Sequence, residues 1–288
     1  MLSSIPSFAQ EGIEDFLSTS KQLESTPDSN FYIFICIGQS NMEGAVKPED
    51  IDYESVGNRL QVMAAVDYKG YSGNNRGGER KRYKWYEALP PLCRENTGLG
   101  VADYFGRSMA ASLPDSIRIG LIHVAVGGCK IEHLFKEYNP DNVKIEADWF
   151  QGFISAYDNL PYTTILNCAL RAKHQGVIKG IILHQGESNT GDELWPEKVD
   201  HLYSTLLNDL NMENASIPLI AGEVLGDAGN GACKSMNDII NKLPQQIKNS
   251  DVVSSEGCKG MPDHLHFTPE AYRTMGRRYA DKMLKYIK

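Results

Sequence analysis

Apolar residues in this chain gather in short, continuous, β-branched runs and do not alternate with polar ones. Four runs stand out, at 31–37 (FYIFICI), 117–126 (IRIGLIHVAV), 177–183 (VIKGIIL) and 217–225 (IPLIAGEVL), with a weaker one near 251–254. A strand that is apolar at every position is buried on both faces, which is the habit of a parallel sheet covered by helices. Segments with helical character lie between the runs, roughly at 99–113, 149–175 and 197–213. The last element, 269–287, has apolar residues at helical spacing, with Thr268 placed to cap it and Pro269 suited to its first turn. The pattern predicts a three-layer α/β/α domain over 29–288, built on a mostly parallel sheet of about five strands, after an N-terminal segment at 1–28.

In such sheets ligands bind beyond the C-terminal ends of the strands. Polar clusters follow the strands here. The first run stops at Gly38-Gln39-Ser40-Asn41, the second at Gly127-Gly128-Cys129, and the third at His184-Gln185-Gly186-Glu187-Ser188. The stretch 256–267 (EGCKGMPDHLHF) arrives just before the last helix. These clusters are expected to converge on one edge of the sheet.

Serine is a poor nucleophile until a base takes its proton, and the base needs a partner to orient it. Ser40 offers the hydroxyl, His266 the base and Asp263 a carboxylate three residues before it. Glu187, two positions past Gln185, is a rival for the orienting part. Developing oxyanion charge needs donors: the N–H of Ser40, a backbone N–H at Gly128 and the Gln185 amide are the candidates. Each residue also has a plainer reading. Ser40 can be a turn former, Gly127-Gly128 an ordinary turn, Gln185 a tie between loops, and His184 a structural histidine. His264 and His266 would fall on one side of an extended segment and could share a metal, but no third ligand has suitable spacing.

Composition narrows the class. The net charge of −8 and the pI near 5.4 argue against nucleic acid or an anionic membrane as the main partner. No apolar stretch reaches the roughly 18 residues that a spanning helix needs. The six cysteines include no C-x-x-C pair; Cys233 and Cys258 could pair in an oxidising compartment. The opening MLSSIPSFAQEG is similar to the tail of a secretory signal, so a secreted or periplasmic location is expected, a disordered start being the alternative.

GQSNMEG at 38–44, VAVGG at 124–128, HQGES at 184–188 and DHLH at 263–266 resemble, in order and spacing, the SGNH-hydrolase superfamily. Within it they are most similar to carbohydrate esterase family 6 and the sialate O-acetylesterase domain family, over about 31–287. The resemblance implies a flavodoxin-like fold and cofactor-free, metal-independent deacetylation of acetylated oligo- or polysaccharides through an acetyl-serine. It implies Ser40 as nucleophile, His266 as base, Asp263 as acid with Glu187 as rival, and Gly128 and Gln185 in the oxyanion hole.

Two positions depart from the pattern. Cys129 stands where a small hydroxyl residue is usual, and Asn189 where aspartate is frequent, which suggests a changed contact at the rim of the site. Acetylated xylan is the first expected substrate and O-acetyl sialic acid the second. Asn41 is a candidate substrate contact. Trp85 or Tyr83, in the basic aromatic loop 76–85, could stack on a sugar ring if exposed, the plainer reading being a solvated loop with Trp85 partly buried. A lipase or thioesterase on the same fold, or a carbohydrate-binding module on an inactive scaffold, are the other classes.

Overall fold

The computed structural model describes residues 26–71, 73–141 and 147–287. The N-terminal segment expected at 1–28, with its signal-like stretch, lies outside the described residues except for 26–28. Strands run over Phe31–Gly38 (β1), Leu60–Met63 (β2), Trp85–Glu87 (β3), Arg118–Ala125 (β4), Val177–His184 (β5), Leu219–Gly222 (β6) and Ser250–Val253 (β7). They form one sheet in the order β3-β2-β4-β1-β5-β6-β7, parallel except where β3 pairs antiparallel with β2. The five expected strands are present. Two more, β2 and β3, extend one edge: β2 has only four residues, and β3 is a half-buried strand that begins at the last residue of the basic loop.

Helices run over Ser40–Glu43 (α1), Val101–Ser112 (α2), Asp148–Ile154 (α3), Pro161–Lys173 (α4), Trp195–Asp209 (α5), Met236–Ile240 (α6), Leu243–Gln246 (α7) and Pro269–Met283 (α8). The helix expected across 149–175 is broken in two. Asp158 and Asn159 take left-handed backbone with φ of 55° and 59°, and Pro161 then opens α4. The last helix begins as the sequence implies: the Thr268 hydroxyl accepts from the Ala271 N–H at 3.3 Å. A cap of this kind is typically worth about 1 kcal/mol.

What positions the site is strand register. β1 lies at the centre, between β4 and β5, with Gly38 opposite both Ala125 and His184. The three strands therefore end level, and the residues after them leave the sheet side by side. Gln39 N–H donates to the His184 carbonyl at 3.0 Å, and Val126 N–H to that of Gly38 at 3.1 Å. A Cβ on Gly38 would stand 2.1 Å from the His184 oxygen, so glycine at this position is a condition of the close approach. From β1 the chain crosses to one side of the sheet, and from β5 to the other, which makes the β1 end the switch point where crevices form.

A buried carboxylate sits beneath this arrangement. Asp103, in the first turn of α2, accepts from the Gly100 N–H at 3.1 Å, while its Oδ1 is buried without a partner. Burial pushes its pKa up to about 7. Between the unfolded carboxylate value of about 4 and that figure, the folded state holds the extra proton, so stability falls as pH rises through the window. Asp103→Asn should therefore stabilise the protein at pH 8 by at least about 1 kcal/mol and change little near pH 4. Urea melts at the two pH values check this; equal effects at both would contradict it.

Candidate active site

Ser40 opens α1 directly beyond β1 and faces a cavity of about 740 Å³. Gln39, Gly127, Gly128, Glu187, Ser188 and His266 also line it, so residues following β1, β4 and β5 meet the loop that precedes α8. In that loop His266 Nδ1 is paired with Asp263 Oδ2 at 2.7 Å. Partial burial opposes the Asp263 charge, but the N–H groups of His266 and Leu265 and the His266 ring outweigh it, taking its pKa down to about 2. A carboxylate held this firmly fixes the ring and leaves Nε2 as the nitrogen without a protein partner among the described residues. The segment is a turn, not the extended run in which His264 and His266 would share a side: His264 has φ of 60°, and its carbonyl is taken by Ala232 N–H.

Glu187 is differently occupied. Its Oε1 accepts from Asn41 Nδ2, its Oε2 is buried without a partner, and burial raises its pKa, with Asn41 and the His266 charge pulling the other way. Asn41, the expected substrate contact, is fully buried. Its Nδ2 also donates to the Leu265 carbonyl at 3.1 Å. Its Oδ1 accepts from Tyr272 Oη at 2.6 Å and from Phe267 N–H at 3.4 Å. Leu265 and Phe267 flank His266. The residue after Ser40 thus ties the serine turn to both sides of the histidine, and it has no polar group left for a ligand.

The glycine turn is held from two directions. Gly127 N–H donates to Glu43 Oε1 at 3.0 Å, and Ser188 Oγ donates to the Gly128 carbonyl at 2.9 Å. Glu43 is itself paired with Arg94, whose guanidinium lies 5.0 Å from the Phe153 ring centre. Among the described residues the N–H groups of Ser40 and Gly128 donate to no protein acceptor. Gly128 has φ of 73°, and the ring of Trp149 lies against it: a Cβ would come within 2.4 Å. Trp149, 57% exposed, forms the cavity wall with Phe150 and Phe153.

Two expected ligand contacts are placed elsewhere. Gln185 is fully buried and does not line the cavity; its Nε2 donates to Gln39 Oε1, Cys129 O and Asn189 Oδ1, and its Oε1 accepts from Trp195 Nε1. Trp85 packs on Phe31, the first residue of β1, with ring centres 4.9 Å apart, and donates to Gln175 Oε1 at 3.0 Å. That is the strand end remote from Gly38. The basic loop around it is likewise spent on structure. Arg76 pairs with Asp50, Arg82 pairs with Asp158, and Arg80 is buried against the Leu89 and Pro91 carbonyls.

The departures from the family pattern also resolve. Asn189 is buried, not at the rim. It accepts from Ile131 N–H and Gln185 Nε2, and donates to Glu132 Oε2 and Asp192 Oδ2, both at 3.1 Å. An aspartate at this position could not donate to either acid. The Cys129 thiol is buried, its pKa raised by that burial, and makes only a 3.5 Å contact with the Gly38 carbonyl. Cys233 and Cys258 are both free thiols, so the pairing considered for them is not formed; Cys233 lines the cavity. A second cavity of about 800 Å³, over α4 and α5, has its partly buried acid Asp209 taken by Lys136 and Tyr162.

A serine, a histidine fixed by an aspartate and two unspent N–H groups around one cavity are the parts that ester hydrolysis by serine requires. Residues 30–285 match the family model described as carbohydrate esterase, sialic acid-specific acetylesterase. The chain belongs to that family, which makes it a carbohydrate acetylesterase-type carboxylic ester hydrolase. Among solved structures it is similar to a protein from Arabidopsis thaliana (21% identity, TM-score 0.61, covering 91% of this chain and all of that one). It is also similar to XAC1771, a carbohydrate acetylesterase from Xanthomonas citri (18% identity, TM-score 0.57, covering 86% of this chain and 55% of that one). A third likeness is to NanS (15% identity, TM-score 0.57, covering 91% and 98%). At these identities the likeness is one of fold.

Asn189→Asp should place a third carboxylate beside Glu132 and Asp192 with only Lys198 to balance them. It is expected to cost about 2–3 kcal/mol in urea unfolding. A variant as stable as wild type would mean that the two Asn189 donor bonds carry no weight.

Proposed function

We propose that the protein is a serine O-acetylesterase acting on acetylated sugars. The observation that carries the proposal is the shared cavity of Ser40, the Asp263-held His266, and the free N–H groups of Ser40 and Gly128. His266 Nε2 takes the Ser40 proton as Oγ attacks the acetyl carbon. The carbonyl electron pair moves onto oxygen and is held by the two N–H donors. Collapse breaks the bond to the sugar oxygen, which takes the proton from His266, and leaves acetyl-serine. Water, deprotonated by the same nitrogen, repeats the sequence and releases acetate.

In this reading Asp263 orients His266, and Glu187 serves through Asn41 to hold the two loops together. The apolar Trp149 face suits the C–H surface of a pyranose. Lys130 also lines the cavity, and its ammonium makes no ion pair among the described residues. A carboxylate-bearing sugar would complement it, so O-acetyl sialic acid stands first, consistent with the family's description. Acetylated xylan, a neutral polymer that the Trp149 face alone would serve, is the alternative.

Acetate release from 4-nitrophenyl acetate, O-acetyl sialic acid and acetylated xylan tests this. Wild type should act on the small ester and prefer the sialic acid, and Ser40→Ala should lose at least about 10³-fold in kcat with its fold intact. Normal release by Ser40→Ala would remove the mechanism; preference for xylan would reverse the order of substrates.

The two carboxylates separate in the same assay. Asp263→Asn should lower kcat by about 10²–10⁴-fold, because the amide no longer enforces the His266 tautomer. Glu187→Gln, which keeps an acceptor for Asn41, should cost far less. The reverse ranking would transfer the orienting part to Glu187.

A further inference from the structure

We infer that Gln39 is a catalytic residue, its side-chain Nε2 being the third donor to the oxyanion, and that Gln185 is the positioning residue that aims it. The inference rests on the esterase reading above. Gln185 cannot reach a ligand as it stands: it is fully buried, and both ends of its amide are bound within the protein. One of those bonds, from Gln185 Nε2 to Gln39 Oε1 at 3.1 Å, passes the orientation to a residue that does line the cavity.

The direction of the Gln39 amide is not ambiguous. Its Oε1 also accepts from the backbone N–H groups of Gly186 and Ser188, each at 3.3 Å. Backbone N–H can only donate, so three donors hold the oxygen end inward, and the nitrogen is the end left over. Gln39 is 3% exposed, and its Nε2 donates to no acceptor among the described residues. That nitrogen is not sealed among the buried unpartnered atoms and opens on the cavity, where a ligand can take its hydrogen bond. The neighbouring unspent donors are the N–H of Ser40, the next residue, and that of Gly128. Three donors from the ends of β1 and β4 would then surround the atom on which negative charge develops. The supports behind them run in series, from the Glu132–Lys198–Asp192 cluster through Asn189 and Gln185 to Gln39.

Gln39→Glu tests the assignment, because glutamate keeps an oxygen for all three inward donors and exchanges only the cavity end for an acceptor. The variant should melt like wild type. Near neutral pH its kcat should fall by about 10²–10³-fold with KM little changed, the usual loss for one oxyanion donor. Labelling of Ser40 by a fluorophosphonate should slow in parallel. As pH is lowered the glutamate gains a proton and can donate again, so the ratio of variant to wild-type kcat should rise. Gln39→Ala should show the loss without that recovery. Wild-type kcat in both variants would overturn the inference, as would a loss in Gln39→Glu accompanied by a lowered melting temperature and no recovery at low pH. Failure of wild type itself to be labelled at Ser40 would instead remove the esterase reading, and the inference with it.

Discussion

The Asn41 side chain is the point on which the site's geometry turns. Ser40 and His266 belong to segments more than two hundred residues apart, and the proton transfer proposed between them demands that their separation be closely held. Asn41 meets that demand by bonding both backbone groups beside His266 while sitting next to Ser40 in the chain. Glu187 and the Tyr272 hydroxyl then satisfy the remaining capacity of the amide. Every polar atom of the link is used inside the protein, so the link is stiff. It also couples three elements: the turn after β1, the turn after β5, and the loop and helix at the C-terminus.

A second polar series backs the opposite side of the cavity. It begins at a lysine between two acids, passes through the amides of Asn189 and Gln185, and ends at Gln39. Amides suit this task because each offers a donor and an acceptor at fixed spacing, so orientation is transmitted from one to the next. The buried Glu43–Arg94 pair does the same for the glycine turn through the Gly127 N–H. The contrast between the walls follows: fixed polar groups surround Ser40, while Trp149, Phe150 and Phe153 present an apolar face, the one the proposed reading gives to the rest of the substrate.

Much of this architecture can be read along the chain. Continuous apolar runs marked five of the seven strands, from β4 through to the edge strand β7, since a strand covered on both faces has no polar side to show. The clusters after β1, β4 and β5 and the DHLH turn were legible because a parallel sheet sends its strand ends to one edge. The Asp263–His266 pairing was legible too, because three residues of turn determine it locally. The strands β2 and β3 were not. Four and three residues carry too little periodicity to stand out, and β3 owes its place to pairing with β2.

The parts that a motif could not assign are those decided by long-range contact. Gln185 and Gln39 carry the same side chain, both at strand ends, and nothing local distinguishes the one that faces the cavity. The choice follows from which amide the Trp195, Cys129 and Asn189 groups enclose. Trp85 looked like a sugar platform because it is aromatic and lies among cations, yet its ring is packed on Phe31, at the end of β1 remote from Gly38. Trp149, in an unremarkable helical stretch, is brought against Gly128 instead. Residue types along the chain establish the sheet, the direction of its strands and the inventory of reactive groups. Which polar group is consumed by its neighbours and which is left open to a ligand depends on packing between distant segments, because a buried hydrogen bond is settled only when both partners are in place.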